Sequence, residues 1–256
     1  MITVHDNNVT EVEVKRVTLE RPRKAGRFWR GIQHSEFLEV LQAILDARKW
    51  KIVNQAYSVS KNETGLAAAF DLKIPGMKAP TGTNFALGVL HDNNRKRALT
   101  LVCGATVAVC NNGMASGQLI LKHKHISGFN LRDEMESAMD RYLDRIGLLE
   151  EFIAQWKQFR ITGPQSDQLL MNAARLKILP PTRIFEVDQE FRNPSFNYKQ
   201  DYIDTSFGLY NAFTHVMKKA PARFQLDRME KFRDLLPTTK RGRHLINVDG
   251  NTIKNI

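Results

Sequence analysis

The amino-acid sequence predicts an α+β fold, an antiparallel β-meander of four to five strands preceded by one helix and followed by a long helix and a helical C-terminal half. Three patterns indicate this order. Apolar residues recur at helical spacing before residue 50, short β-branched, alanine and aromatic runs alternate with turn residues over about 51–110, and the helical period returns after Asn130. A sheet covered on one face by helices is the simplest layered arrangement of these elements.

The first elements are a short strand and a helix. Residues 11–20 begin with strict alternation of charged and apolar side chains, which predicts a short edge strand. A helix is predicted after Ser35, which we expect to be its N-cap. The apolar residues at helical spacing in this segment are Phe37, Leu38, Leu41, Ile44 and Leu45.

Four strand-like runs follow at about 51–60, 65–74, 84–91 and 97–110, and turn residues such as Pro75-Gly76 separate them. A further turn at Asn111-Asn112-Gly113 precedes a fifth predicted strand at 118–126. The runs are consecutive and short, which favours antiparallel pairing between neighbours.

The remainder of the chain is predicted to be helical. A long helix runs from Asn130 until Gly163-Pro164 breaks it. Shorter helices are expected at 165–177, 182–190, 205–219 and 222–235, and the last of these carries an apolar stripe of Phe224, Leu226, Met229 and Phe232. The expected organisation is a basic N-terminal arm (1–30), a single α+β domain (31–236, with sheet and helix to about 160 and a helical subdomain at 165–236) and a basic tail (237–256).

The charge balance is the most unusual property of this 256-residue chain. It contains 38 Lys and Arg against 27 Asp and Glu, a net charge of +11, and its pI is about 9.7. Such an excess attracts polyanions, which favours nucleic acid as the partner. An anionic membrane, an acidic protein, or a basic surface that serves only solubility are the alternatives.

Sequence motifs favour a non-enzymatic protein that needs no cofactor or metal. The chain contains no phosphate-binding loop, no dinucleotide-binding glycine motif, no His-Glu-x-x-His and no Gly-x-Ser-x-Gly. No apolar run reaches the roughly 18 residues that span a bilayer, and no secretory signal is apparent. Cys103 and Cys110 would point to opposite faces of one strand and could not pair with each other, which fits a reducing cytosol.

Four basic clusters are candidate phosphate contacts. In the arm, Arg27 lies beside Phe28 and Trp29, which would stack on bases or, alternatively, anchor the arm to the core. The other three clusters are a hairpin tip, a histidine–lysine strand and the tail. Their residues are, in that order, Arg95, Lys96 and Arg97; Lys122 and Lys124; and Lys240, Arg241 and Arg243. The alternative for the hairpin tip is a solvated turn.

The histidines of the histidine–lysine strand are also candidate metal ligands. His123 and His125 would share one strand face, and Cys110 and His91 would have to lie nearby to complete a ligand set. Zinc normally takes four ligands at a tighter spacing, and the alternating lysines favour an anion over a cation. A basic strand that contacts phosphate, or a plain surface strand, is therefore preferred to a metal site.

Two stretches of the sequence carry a distinctive pattern. The first runs through His91-Asp92-Asn93-Asn94, Val109-Cys110-Asn111-Asn112 and Lys124-His125-Ile126. The second contains Tyr210, Asn211, Ala212, Thr214 and His215. Together they resemble a family of phage- and plasmid-borne proteins grouped as domain of unknown function 932, in which the second stretch is a late helix. The chain departs from the family pattern at Asn93-Asn94, at Ala108, where arginine is usual, and at Phe207, where tryptophan is common. The resemblance implies a mobile genetic element expressed in bacterial cytoplasm, and no settled activity.

The leading hypothesis is a nucleic-acid-binding protein, and its specific form is an oligomer that binds and anneals single-stranded DNA in recombination. The element order is similar to that of phage single-strand annealing proteins, which need a positive groove and no acid–base pair. The alternative is a non-enzymatic phage protein that inhibits or redirects a host defence complex. A third reading is a metal-dependent nuclease with a dispersed acidic site at Asp188, Glu190 and Asp201.

Overall fold

The computed structural model describes residues 8–18, 29–60, 62–79, 83–93, 97–107, 112–124, 128, 130–195, 202–218 and 222–237. The strands are β1 (Asn8–Val9), β2 (Lys51–Val59), β3 (Gly65–Lys73), β4 (Thr83–Asp92), β5 (Arg97–Val107) and β6 (Asn112–His123). The helices are α1 (Glu11–Arg16), α2 (His34–Ala47), α3 (Leu131–Gln158), α4 (Gly163–Arg175), α5 (Ile184–Arg192), α6 (Ser206–Met217) and α7 (Ala222–Leu235), with a 3₁₀ turn at Pro181–Arg183.

The strands form one antiparallel sheet in sequence order from β1 to β6. The five long strands β2–β6 confirm the predicted meander and the α+β class. The fifth strand begins at Asn112 rather than 118, because Asn112 and Gly113 already pair with Val107 and Thr106 of β5. The expected turn residues are thus the first residues of the strand.

One face of the sheet carries the core. Alternate residues of β3, including Leu66 and Phe70, are buried, as are Leu87 of β4 and Leu101 of β5. They join a single hydrophobic cluster with the apolar residues of α2 and α3. The Tyr142 hydroxyl of α3 donates to the main-chain carbonyl of Ala86 at 3.2 Å, which ties the long helix to the middle of the sheet.

The other face, called the outer face below, is formed by Ala67 and Ala69 of β3 and by the residues paired with them on neighbouring strands. Leu90 and Thr100 lie in one cross-strand row with Ala67, and all three are half-buried. Small residues, namely Ala67, Ala69 and the Gly88 that pairs with Ala69, therefore lie beside Leu90 and Thr100 on this face.

Aromatic packing holds the helical half together. Trp156 of α3 lies 5.0 Å from Tyr210 of α6, and Phe213 of α6 stacks on Phe232 of α7 at 4.0 Å between ring centroids. Such pairs contribute roughly 0.5–1.5 kcal/mol beyond their area burial. Phe232 and Met229 are buried as the predicted stripe on α7 requires.

The predicted strand at 11–20 is wrong, because Glu11–Arg16 is helical. The Thr10 hydroxyl accepts the Glu13 main-chain N–H at 3.3 Å, and the Glu13 carboxylate accepts the Thr10 main-chain N–H at 2.7 Å. This reciprocal capping box stabilises a helix start, and it outweighs the alternation of charged and apolar residues. Val14 is fully buried on the inner side of this helix, whereas Val12 is 58% exposed.

Helix α2 also begins earlier than predicted, with Gln33 rather than Ser35 at the N-cap position. The side chain of Gln33 makes no capping hydrogen bond. His34, the first residue of the helix, is buried, and its Nε2 lies 2.9 Å from the carbonyl oxygen of Glu63. A contact distant in sequence thus fixes this helix start.

The break at Gly163-Pro164 is also displaced. Helix α3 ends at Gln158, and Gly163 and Pro164 form the first turn of α4. The Gln165 side chain accepts the Thr162 main-chain N–H at 2.9 Å. Proline is tolerated in a first helical turn, where its missing N–H would have no intrahelical partner.

Candidate nucleic-acid interface

One residue of the hairpin-tip cluster, Arg97, and the lysines of the histidine–lysine strand lie at one end of the sheet. In the register of β5 and β6, Leu99 lies opposite His123, so the start of β5 adjoins the end of β6. Arg97 begins β5, and both Lys122 and Lys124 are exposed. Arg95, Lys96 and the side chain of Arg97 lie outside the described residues. Within those residues, the backbone brings Arg97, Lys122 and Lys124 together.

Lys122 and Lys124 form no ion pair within the described part of the chain. Many arginines on the helices differ in this respect, because they contact carboxylates, as Arg48 does with Asp140 at 2.7 Å and Arg132 with Glu136 at 3.3 Å. A lysine without a protein counter-ion keeps its full attraction for an external anion. These two lysines are therefore suited to contact phosphate.

His123, between these lysines, does not join a metal site within the described residues. Its Nδ1 lies 2.7 Å from the carbonyl oxygen of Lys124. In the described ranges, no group of three or more His, Cys, Asp or Glu side chains is arranged to hold a metal ion. His125 and Cys110 lie outside those ranges, and His91 is buried in another cluster.

A buried polar cluster of His91, Asn93 and the main chain of Ile32 lies beneath the same end of the sheet, and the sequence did not predict it. The Asn93 side chain accepts the Ile32 main-chain N–H at 3.0 Å and donates to the Ile32 carbonyl oxygen. The His91 Nε2 also lies 3.0 Å from that oxygen. Asn93 is 1% exposed. The hairpin end is thereby fastened to the segment that leads into α2.

His34 completes this buried polar cluster. Its ring packs edge-to-face on His91, with centroids 5.1 Å apart, and its Nε2 faces the Glu63 carbonyl oxygen. Burial lowers the pKa of His34, and the Glu63 carbonyl and the charge of Asp92 only partly oppose this effect. The cluster is therefore expected to hold a neutral imidazole. In the sequence, the family-like turn His91-Asp92-Asn93 marks this position, but the sequence does not show that the turn residues fasten the hairpin to Ile32.

The Trp29 indole packs against the main chain at Gly31. It is half-buried, and a Cβ atom placed on Gly31 would come within 2.5 Å of the indole ring, so the ring covers the backbone there. Its Nε1 is buried without a hydrogen-bond partner among the described residues. Arg27 and Phe28 lie outside the described residues. Of the two readings for the arm aromatics, this packing favours anchoring for Trp29.

The basic tail lies outside the described residues, including Lys240, Arg241 and Arg243. The last described residues are fixed to the helical half. Leu236 is buried, and the Ser206 hydroxyl donates to the Pro237 carbonyl oxygen at 2.9 Å. The tail therefore starts beside the N-terminus of α6.

Two of the acidic residues proposed for a nuclease site, Asp188 and Glu190, make contacts within the protein. Asp188 forms an ion pair with Arg192 at 2.8 Å. Glu190 is buried and accepts hydrogen bonds from the main-chain N–H and the hydroxyl of Ser195 at 3.0 and 2.6 Å. Asp201 lies outside the described residues. These contacts give both described carboxylates structural roles.

The family-like helix α6 belongs to the core. Tyr210, Asn211 and Thr214 are buried, and the Tyr210 hydroxyl lies 3.5 Å from the Met229 carbonyl oxygen. Burial raises the pKa of Tyr210 far above its usual range. Phe207 packs edge-to-face on Tyr202 at 4.9 Å. This motif therefore joins α3, α6 and α7.

A shallow groove lies between α1 and the end of β2. Glu13, Arg16, Ser60 and Glu63 are among its lining residues. The Glu13 carboxylate already caps α1, and the Ser60 hydroxyl both accepts the Gly65 N–H and donates to Asn62. Two of the polar side chains of the groove, Glu13 and Ser60, thus have partners in the protein.

The meander sheet backed by helices, with lysines at one sheet end, defines a basic α+β protein. The family model described as Domain of unknown function (DUF932) matches residues 25–236, so the chain belongs to this family. No curated protein and no solved structure matches the chain. Among the described residues, no helix is both long and apolar enough to cross a membrane.

Proposed function

We propose that this protein binds nucleic acid through its phosphate backbone, at the end of the sheet where β5 begins and β6 ends. The observation that carries the proposal is the exposure of Lys122 and Lys124 beside the start of β5, without a counter-ion among the described residues. The net charge of +11 supplies the long-range attraction. Phosphate contacts of this kind position a protein without reading sequence.

The setting that we propose is a phage or plasmid protein acting in the bacterial cytoplasm, without a catalytic step or a cofactor. We propose that an oligomer binds single strands and promotes their annealing, because this kind of nucleic-acid binding best fits a basic surface on a sheet. A positive surface can hold one strand by its phosphates while its bases remain free for pairing.

Fluorescence anisotropy with a labelled single-stranded oligonucleotide tests the proposal. The double variant Lys122→Gln/Lys124→Gln should bind roughly tenfold more weakly, because each exposed charge contact contributes up to about 1 kcal/mol. The matched control is Arg175→Gln/Lys177→Gln, which removes two exposed positive charges at the end of α4. Equal weakening by both variants would show that only net charge matters and would overturn the assignment of the site.

A second candidate function is supported by a different observation. Phe185 on α5 is 73% exposed, and Met171 and Leu176 of the preceding helix region are also exposed. Large exposed apolar side chains are typical of protein interaction sites. A host protein that co-purifies after nuclease treatment, and is lost with Phe185→Ser but retained with the control Val53→Ser, would favour this function.

A further inference from the structure

Two lysines that the sequence analysis did not single out face each other across the sheet. Lys51 of β2 and Lys73 of β3 are direct cross-strand partners, and both are exposed. Residues in such pairs have their Cβ atoms roughly 4.5–5.5 Å apart, and like charges there are destabilising. Neither lysine forms an ion pair within the described part of the chain. This repulsion is relieved when an anion binds between them.

The Lys51–Lys73 pair lies on the same face of the sheet as Lys122. Lys73 and Ala67 are six positions apart on β3, and an even separation places side chains on the same face. Ala67 lies in one cross-strand row with Leu90, Thr100 and Lys122. The outer face is therefore bordered by lysines at two opposite corners.

The distance between these corners follows from sheet geometry. The two rows are separated by about 20 Å along β3, and β3 and β6 are about 14 Å apart across the sheet, which gives a diagonal of about 25 Å. Sites of this length accommodate several nucleotides of an extended strand. A polynucleotide that crosses the face would therefore contact both corners.

The residues of the outer face between the two corners are largely apolar. On this face Ala67, Ala69, Leu90 and Thr100 are half-buried, whereas Ala86 and Val102 are buried, and a Cβ placed on Gly88 would meet, among described atoms within 4 Å, those of Val102 on the adjacent strand. Such a surface suits the faces of bases better than the backbone of a duplex, whose bases are enclosed.

The acidic residues on this face do not cancel the lysines. Asp71 is 1% exposed and accepts a hydrogen bond from the Asn54 amide at 3.1 Å. Asp92 is half-buried and lies opposite Arg97 in the register of β4 and β5. The exposed charge at the two corners is therefore positive.

We propose that single-stranded DNA crosses the outer face of the sheet from the Lys51–Lys73 pair to Lys122, with its phosphates at the lysines and its bases over the small residues. This inference rests on the proposed function and extends it. It assigns a second phosphate contact and a path for the strand.

The test compares three double variants by anisotropy over a salt series: Lys51→Gln/Lys73→Gln, Lys122→Gln/Lys124→Gln and the control Arg175→Gln/Lys177→Gln. Loss of two single-strand phosphate contacts should reduce the slope of log affinity against log salt by about 1.4. Both lysine-pair variants should show this reduction, and the control should keep the wild-type slope. The Lys51→Gln/Lys73→Gln variant should also unfold at no lower urea concentration than wild type, because a repulsion has been removed.

The outcomes separate the two proposals. If wild type does not bind single-stranded DNA, the proposed function fails and the path across the face fails with it. If wild type binds and only Lys122→Gln/Lys124→Gln weakens binding, the function stands and the path is wrong. Tighter binding of a duplex of equal length by wild type would overturn the assignment to a single strand.

Discussion

Asn93 pairs with the main chain of Ile32 through both polar groups of its side chain, as a neighbouring strand would. This contact joins residues 61 positions apart and fastens the β4–β5 hairpin end to the segment before α2. The end of the sheet where the lysines gather is thereby held in place from below.

Asn93→Ala should therefore destabilise the protein. The Ile32 main-chain N–H would lose a buried hydrogen bond, and a buried donor without a partner costs roughly 1–3 kcal/mol. Urea unfolding should show a loss in that range, whereas the control Asn193→Ala, at an exposed position, should stay within about 0.5 kcal/mol of wild type. An equal effect of both variants would contradict the role of Asn93.

His34 should make stability depend on pH. Because burial lowers its pKa in the folded protein from the ordinary value of 6.5, the folded state binds fewer protons than the unfolded state below that pH. The free energy of unfolding should thus fall as the pH drops below about 6.5, by up to about 1.4 kcal/mol per pH unit for one proton.

The variant His34→Gln isolates this contribution, because glutamine can donate to the Glu63 carbonyl but does not titrate. Urea unfolding at pH 7.5 and 5.5 should show a smaller loss of stability in the variant than in wild type. Equal losses in both proteins would mean that His34 does not titrate in this range.

Lys73→Glu tests the strand register directly. It would replace the like-charged pair with Lys51 by an opposite-charged pair, which should raise the free energy of unfolding by roughly 0.2–1 kcal/mol at low salt. The gain should shrink at high salt because exposed pairs are screened. A loss of stability would indicate that Lys51 and Lys73 are not cross-strand partners.

Gly31→Ala should displace the Trp29 indole, since the new Cβ would lie within 2.5 Å of the ring. Trp50 and Trp156 are buried, so an increase in acrylamide quenching would report mainly on Trp29. Gly147→Ala, in an exposed helix position with no atom within 4 Å, is the control and should leave quenching unchanged. If Trp29 serves only as an anchor, DNA affinity should change little in either variant.

The five long strands were predictable because they are runs rich in β-branched, alanine and aromatic residues that turn residues separate. α1 was missed because alternating Glu and Val residues are the pattern of a strand. The local pattern that indicates a helix instead is the capping box of Thr10 and Glu13, which is readable in the sequence. The start of α2 was less accessible, since His34 is fixed by Glu63, a residue distant in sequence.

The candidate site was predictable only in its composition. The sequence marks Lys122 and Lys124 as basic, but their position beside the start of β5 depends on a register that shifts twice between β5 and β6. The Lys51–Lys73 pair likewise depends on the irregularity between Ile52 and Asn54. Register of this kind is set by tertiary packing rather than by local preference.

The most direct test of the central claim is a salt titration of wild-type binding to single-stranded DNA between about 50 and about 200 mM salt. Four lysine–phosphate contacts predict a log–log slope of about −2.8 from these residues alone. We expect the slope of log affinity against log salt to be at least this steep. An affinity that does not change over this range, or no binding at low salt, would contradict it.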